Sequence, residues 1–175
     1  PILLVISSIT MRIKCLYTLL FALAVVGVGH IAAQENVITP VPAVVEWGEG
    51  SVDLGRDLKL YVDAPKDDAL RLEAAAKDTG LRLSRVCRPA RKGFVNLMVV
   101  EEGDVSALAA ERNVAEGYVM DITAEGVSIK ATSPAGLYYG LQSLKQIYEA
   151  HGALTACHIV DAPRFGYRGV LIDIS

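Results

Sequence analysis

Two neighbouring segments, residues 117–122 and 127–131, show the clearest alternation of apolar side chains with polar or small ones. The apolar members are Tyr118, Met120 and Ile122 in the first segment and Val127, Ile129 and Ala131 in the second. A period of two places such side chains on one face of a β-strand. Residues 123–126 form a short connection that ends in glycine, so the two segments are predicted to form an antiparallel hairpin.

Two other segments carry the periodicity of helices. Residues 65–77 are rich in alanine, with acidic residues at 67 and 68 and Gly80 just beyond the end, a composition typical of a helix and its two termini. A second helix is predicted from Ser133, an N-cap residue followed by proline, to about Glu149. Its apolar residues form a single stripe, Leu137, Leu141, Leu144, Ile147 and Tyr148.

Shorter apolar segments predict further strands, at residues 44–47, 51–54, 58–62, 81–86, 94–100 and 155–160. The first two are predicted to form a hairpin or bend through the glycine-containing link 48–50. The pair 81–86 and 94–100 is predicted to form another hairpin around residues 91–93. Together these elements predict an α+β fold, in which a mainly antiparallel sheet carries two helices on one face.

Residues 11–33 have the layout of a secretory signal peptide. Arg12 and Lys14 form a basic start, residues 15–29 are apolar and uncharged, and small residues precede a cleavage site after Ala33. Residues 1–33 are therefore predicted to be upstream residues plus a leader, and the mature protein to be periplasmic, surface-located or secreted. The alternative is an uncleaved anchor. An anchor would place two charges in mid-membrane at a cost of about 2.5–3.5 kcal/mol each. A cleaved leader is therefore favoured, and no stable membrane span is expected after cleavage.

The charge and the cysteine content of the chain limit the partners and cofactors that it is expected to bind. Without the leader, 15 of the 17 basic residues and all 20 acidic residues remain, a net charge of −5, which makes nucleic acid a poor candidate partner. Cys87 and Cys157 are predicted to be buried free thiols, although a disulfide between them stays open in an exported protein. No Cys/His cluster has the spacing of metal ligands, and no cofactor is expected.

The last fifteen residues, 161–175, differ in character from the rest of the chain. A turn at Pro163 leads into an apolar run at 169–172 that is followed by Asp173. Such a run predicts a strand buried on both faces, which is typical of parallel sheets and barrels. We therefore place a domain boundary near Asp161 and expect the chain to be the front portion of a longer protein.

Four motifs follow one another in a fixed order. They are EGYVM at 116–120, the turn before residues 127–129, SPAGLYYGLQSL at 133–144 and DAPRFGYRG at 161–169. Together with ITPVP at 38–42, they resemble the N-terminal domain and first barrel strand of the exo-β-N-acetylhexosaminidases, glycoside hydrolase family 20. The similarity covers nearly all of the mature chain.

This resemblance implies a (β/α)8-barrel hydrolase that removes terminal N-acetylglucosamine or N-acetylgalactosamine from glycans with retention and without a metal. In that family the substrate's acetamido carbonyl attacks the anomeric carbon. An Asp–Glu pair on the fourth barrel strand orients that group and protonates the leaving oxygen. Residues 34–160 would be the accessory domain and residues 161–175 the start of the barrel. The catalytic pair is then absent, no catalytic residue is assigned, and the fragment is expected to be inactive.

Two residues are candidate members of the sugar site. Arg168 matches the family arginine that binds vicinal hydroxyls of the terminal sugar, and a guanidinium offers a rigid planar fork of donors suited to adjacent oxygens. The alternative for Arg168 is a pair with a carboxylate at a domain interface. Asp173 would lie toward the C-terminal end of the barrel strand, where structural support of the pocket is favoured over substrate contact.

Other chemistry-bearing residues are predicted to be structural. Tyr138 and Tyr139, between Gly136 and Gly140, indicate a helix packed closely on a sheet rather than a surface for sugar stacking. Trp47 is interpreted as a core or edge anchor and His158 as a structural histidine. A basic cluster is interpreted as the solvated end of a strand, and it comprises Arg82, Arg85, Arg88, Arg91 and Lys92.

Two other functions remain open at this stage. One is a related barrel glycosidase with a similar accessory domain, such as an α-glucuronidase or an O-glycan-directed N-acetylglucosaminidase. The other is a stand-alone glycan-binding or interaction module. The second is disfavoured because the chain has only 11 aromatic residues with which to stack on sugars.

Overall fold

The computed structural model describes residues 36–110 and 113–169 of the 175-residue chain. Its elements in chain order are β1 Val44–Ser51, β2 Leu58–Asp63, α1 Lys66–Lys77, β3 Leu83–Arg85, β4 Phe94–Val99, β5 Tyr118–Thr123, β6 Gly126–Ala131, α2 Pro134–His151 and β7 Thr155–Asp161. Two 3-10 segments, Glu102–Ala110 and Val114–Glu116, lie between β4 and β5. The predicted leader, Asp173 and most of the predicted barrel strand lie outside the described residues.

All seven described strands belong to one mixed sheet with the order β1-β7-β5-β6-β4-β2-β3. Three of the six strand pairs are antiparallel, β1–β7, β5–β7 and β5–β6, and three are parallel, β2–β3, β2–β4 and β4–β6. The prediction of a mainly antiparallel sheet is therefore wrong for one half of the sheet. In that half, α1 links β2 to β3 as a crossover, and a crossover makes the joined strands parallel.

The predicted hairpin of β3 with β4 is also wrong, because β2 lies between them and is parallel to both. Gly93, in the expected turn, instead directly precedes β4 and has a positive φ of 59°. Its N–H donates to Glu125 O at 2.6 Å and its carbonyl accepts from Lys59 N at 2.8 Å. Backbone pairing with the two flanking strands thus replaces the turn.

The hairpin of β5 and β6 is confirmed. Its register pairs Met120 with Ile129 and Ile122 with Val127, and the predicted inward residues of both strands are at most 2 % exposed. Of the hairpin or bend predicted around residues 48–50, the hairpin is wrong, and an irregularity within one strand stands where the bend was expected. Residues Val44–Ser51 form a single edge strand that pairs with β7 on both sides of a register irregularity between Trp47 and Ser51, so the glycines accommodate a bulge.

Both helices lie where the pattern predicted and pack on the same face of the sheet. Leu72 and Ala76 of α1 and Leu141 and Leu144 of α2 belong to one buried cluster with the inward residues of β2, β4, β5, β6 and β7. The helix α2 has its N-cap at Ser133, and Gly152 ends it with a left-handed φ of 63°. Neither described helix is long and apolar enough to cross a membrane.

The opposite face of the sheet is partly covered by the 3-10 segment Glu102–Ala110. Val105 and Leu108 pack there against Val119 of β5, Val160 of β7 and the adjoining Ala162 in a second small cluster. Through Ala162, this cluster holds the first residue after β7 against the sheet.

Candidate functional site

A cleft of about 660 Å³ lies where the start of the described chain, helix α2 and the segment after β7 meet. Its lining is mixed, with the aromatic rings of Tyr139 and Phe165 beside carboxylates, amides and guanidinium groups. We call it the Arg168 cleft, and its polar lining includes Glu116, Gln142, Gln146, Asp161, Arg164 and Arg168.

One wall of the Arg168 cleft is made by close contact between helix α2 and the turn that ends at Glu116. Gly136 of α2 lies so near Gly117 that a Cβ on Gly136 would sit 2.2 Å from the Gly117 carbonyl oxygen. The Thr132 hydroxyl donates a hydrogen bond to Val114 O at 3.1 Å, and the Ser133 hydroxyl donates one to Ala115 O. Glu116 is therefore held beside the first turns of α2.

The opposite wall is formed by residues before β1 and by residues at and after the end of β7. Thr39 N donates to the Gln146 side chain of α2 at 2.7 Å, and Ala43 N donates to Asp161 Oδ1 at 3.2 Å. The side-chain amide of Asn113 donates a hydrogen bond to Pro163 O, which joins the segment after β7 to the turn beside Glu116. Residues from four separate parts of the sequence thus converge on the cleft.

Arg168 lies in this cleft with two partners from earlier parts of the chain. Its Nη2 donates to Glu116 Oε2, with which it forms an ion pair, and to the Tyr139 hydroxyl at 3.2 Å. The guanidinium carbon lies 5.5 Å from the centroid of the Tyr139 ring, within cation–π range. The predicted sugar contact of Arg168 stays a prediction, and Glu116 is the kind of carboxylate partner that the alternative for Arg168 anticipated.

The sequence did not indicate that Glu116 and Tyr139 contact Arg168. They lie 52 and 29 residues from Arg168 in the chain, and no local pattern couples positions so far apart. The interpretation of the neighbouring glycines is confirmed, since a Cβ on Gly140 would lie 2.6 Å from Ile129 Cγ2. Small residues therefore bring α2 onto the sheet and leave Tyr138 and Tyr139 on its outer side.

The buried end of the cleft is closed by a tyrosine and a serine. The Tyr118 hydroxyl and Ser143 Oγ share a hydrogen bond at 2.6 Å, and both residues line the cleft. Burial raises the pKa of Tyr118 above its usual value. Tyr118 is therefore a neutral structural group, and the hydroxyl pair does not supply a base at ordinary pH.

His158 has a partner that the sequence did not reveal. Its Nδ1 lies 2.6 Å from Asp121 Oδ1 across β7 and β5, on the sheet face opposite the helices. Trp47 is partly buried against the core and meets His151 edge-on, with ring centroids 6.1 Å apart. Trp47 therefore lies as the core or edge anchor that the sequence predicted, and the structural role of His158 stays a prediction.

Within the part of the chain that the structure describes, Cys87 and Cys157 are free thiols, and only one of the two is buried. Cys157 is buried in β7, where burial, with a smaller effect of Asp121, raises its pKa to about 12. Cys87 is exposed in the connection after β3, so the prediction of two buried thiols is wrong for Cys87. A short strand followed by a solvent-facing crossover leaves that side chain uncovered.

The basic cluster is partly neutralised. Arg85 pairs with Glu73 of α1 at 2.8 Å, and Arg82 lies 3.8 Å from Asp57 while donating to Leu54 O. These contacts join β3 to its neighbours. Within residues 36–110 and 113–169, no group of three or more His, Cys, Asp or Glu side chains could hold a metal ion.

Comparison with known proteins identifies the family to which this fold belongs. Residues 35–162 match the family model described as glycosyl hydrolase family 20, domain 2. The N,N'-diacetylchitobiase of Vibrio harveyi is 34% identical over 83% of this chain and 16% of its own length. The β-hexosaminidase of Vibrio vulnificus is 26% identical over 79% of this chain and 15% of its own length. This chain thus spans about one sixth of the length of each of these two relatives.

Solved structures agree with the family match. The family 20 β-N-acetylhexosaminidase of Streptomyces coelicolor A3(2) superposes with a TM-score of 0.59 at 27% identity, and the match covers 76% of this chain and 28% of that one. The matched family model extends over well over half of the present sequence. The chain therefore belongs to glycosyl hydrolase family 20, and its described fold is that of the family's domain 2.

Proposed function

We propose that this chain is the N-terminal part of a β-N-acetylhexosaminidase that hydrolyses terminal, non-reducing N-acetylglucosamine or N-acetylgalactosamine residues of glycans. The observation that carries this proposal is the match of residues 35–162 to domain 2 of family 20. A chitobiase that is 34% identical over most of the chain supports it.

In the proposed reaction the substrate's own acetamido oxygen attacks the anomeric carbon as the glycosidic bond breaks. A carboxylic acid protonates the departing oxygen, and water then opens the cyclic intermediate, so the anomeric configuration is retained. The Asp–Glu pair for these steps would be supplied by a barrel that follows residues 161–175. Residues 34–160 would then be the accessory domain, and the chain as given would be inactive alone.

Arg168 is proposed to bind two vicinal hydroxyls of the terminal sugar. Its side chain is 44% exposed in the cleft, and a guanidinium stays charged at any relevant pH and donates in a fixed plane. Asp173 is proposed to support the same pocket from the barrel strand. The proposed leader at residues 11–33 would export the enzyme, consistent with a glycan substrate outside the cytoplasm.

The decisive experiment compares turnover of a chromogenic N-acetyl-β-D-glucosaminide by the full-length gene product and by residues 34–175. We expect the full-length protein to release the chromophore and residues 34–175 to release none. Absence of turnover by purified, folded full-length protein would contradict the proposed enzyme. Turnover by residues 34–175 would contradict the proposed location of the catalytic carboxylates.

A further inference from the structure

We infer that the sheet face opposite the two helices is a glycan-binding surface, on which a chain of linked sugars lies across the strands. The choice of a glycan as the ligand rests on the proposed function. The surface is built on one row of polar side chains, which we call the cross-strand row. From β1 to β2 its members are Glu46, His158, Asp121, Ser128, Asn96 and Tyr61.

The register of the sheet places the whole cross-strand row on one face. Each member is directly paired with the next one on the neighbouring strand, and directly paired residues project to the same face. Their sequence neighbours Met120, Ile129 and Leu97 project to the other face, where they are buried in the cluster formed with the helices. Because neighbouring strands lie about 4.8 Å apart, the row extends over about 24 Å, which is long enough for several linked sugars.

The face that carries the row is largely open within the described chain. The 3-10 segment Glu102–Ala110 covers one corner of it, against Val119 and Val160, and every member of the row except Asn96 is partly or fully exposed. Parallel strands are usually covered on both faces. Strands β2, β4 and β6 are parallel to one another, so an open face over this half of the sheet is unusual and indicates a ligand.

Three side chains of the row lack partners. Glu46, Ser128 and Asn96 make no side-chain hydrogen bond within residues 36–110 and 113–169. Asn96 is only 7 % exposed, and its Oδ1 is buried without a donor. An unpaired buried acceptor costs about 1–3 kcal/mol. A ligand rich in hydroxyl groups would supply the missing donor.

The centre of the row is already ordered. An ionised carboxylate only accepts hydrogen bonds, so His158 Nδ1 donates to Asp121 Oδ1 at 2.6 Å. This contact fixes the imidazole ring and leaves its Nε2 facing away from Asp121. Ordering side chains before a ligand arrives reduces the entropy lost on binding, so the pair favours binding of a ligand in one orientation.

Charge and ring surface select the kind of ligand. Glu46 and Asp121 would repel a polyanion, and the row contains no aliphatic side chain of the kind that forms the core of a protein–protein interface. Phe94 lies on the same face, two residues before Asn96 and diagonal to Tyr61, and both rings are partly exposed. Polar groups beside two aromatic rings suit the hydroxyl groups and the apolar ring faces of an uncharged glycan.

The test measures binding of the full-length protein to an insoluble polymer of β-linked N-acetylglucosamine, in the presence of free N-acetylglucosamine to occupy a monosaccharide pocket. The variants are Glu46→Gln, Ser128→Ala and Tyr61→Ala. We expect each to lower the association constant about threefold, near the low end for a hydrogen bond because the face is open to water. Turnover of a chromogenic N-acetyl-β-D-glucosaminide, a single sugar, should stay unchanged and shows that each variant is folded.

The combined variant tests whether one extended ligand contacts the whole row. The three positions lie two or more strands apart, so their effects should multiply to about thirtyfold. Matched controls on other exposed surfaces are Glu149→Gln, Ser106→Ala and Leu70→Ala, which should leave polymer binding unchanged. Unchanged binding by the combined variant, or equal losses in the controls, would overturn the inference.

Failure of the inference can be told apart from failure of the proposed function. A folded wild type that turns over no chromogenic substrate would contradict the proposed hexosaminidase, while polymer binding weakened by the three variants would still support the surface. An active wild type that does not bind the polymer would contradict the surface alone. A loss of chromogenic turnover equal to the loss of binding would show a general structural role and overturn the inference.

Discussion

The Tyr118 hydroxyl lies 2.6 Å from Ser143 Oγ, and this hydrogen bond joins the interior strand β5 to helix α2. Tyr118 is 1 % exposed and Ser143 6 % exposed, so neither hydroxyl has free access to water. The bond lies at the base of the Arg168 cleft, and its loss would therefore act on both the stability of the domain and the shape of the cleft.

Replacing one member of this pair should destabilise the protein because the remaining hydroxyl stays buried without its partner. We expect Tyr118→Phe or Ser143→Ala to lower the free energy of unfolding by about 1–3 kcal/mol. The double variant should lower the free energy of unfolding by less than the sum of the two single losses. Urea denaturation measures these differences, with the exposed Tyr138→Phe as control, and strictly additive losses would argue against a coupled pair.

A side chain at Gly136 should disturb the junction of α2 with the turn at Gly117. The added Cβ would lie 2.2 Å from the Gly117 oxygen and 2.7 Å from Ala131 Cβ, so packed backbone has to move. We expect Gly136→Ala to lower the unfolding free energy by about 1–3 kcal/mol, measured by thermal or urea denaturation. Gly103→Ala, at a position with nothing within 4 Å, is the control, and equal stability of the two variants would contradict the close packing.

The N-cap of α2 should contribute measurably to stability. Ser133 Oγ accepts from Gly136 N at 3.4 Å and also donates to Ala115 O. We expect Ser133→Ala to cost about 1 kcal/mol, compared with a negligible change for the exposed Ser106→Ala. A Ser133→Ala variant as stable as the wild type would show that the cap contributes nothing to the junction.

The buried thiol of Cys157 predicts a particular dependence of stability on pH. Burial raises the folded pKa from 9.0 to about 12, so the folded state keeps a proton that the unfolded state releases. The resulting stabilisation is complete below about pH 9 and is lost as the pH rises toward 12. We expect the stability difference between wild type and Cys157→Ala to decrease over this window in urea denaturation.

A constant difference between these two proteins across the window would contradict the raised pKa of Cys157. Thiol labelling provides an independent check on the same residue. Cys87 is exposed and Cys157 buried, so at neutral pH a thiol-specific reagent should modify Cys87 in the folded protein and reach Cys157 only after unfolding.

The sequence predicted those elements whose residues lie close together in the chain. The hairpin of β5 and β6 has a two-residue periodicity on both strands and a short connection, and α2 has an N-cap, a proline and an apolar stripe. Such patterns depend on neighbours within a few residues, so they can be recognised in the sequence before the fold is known. The family resemblance was found in the same way, from motifs that include these two elements.

Strand order and the composition of the cleft were decided only by the tertiary structure. β2 lies between β3 and β4 because a helix crossover brings distant segments into parallel register, which periodicity alone does not encode. Glu116, Tyr139 and Arg168 likewise meet across 52 residues of chain because α2 packs on the sheet through glycines and β7 leaves it beside the turn at Glu116. The sequence by itself determined which residues could form strands, helices and donor groups. Packing of those elements determined which of the donors and acceptors face one another.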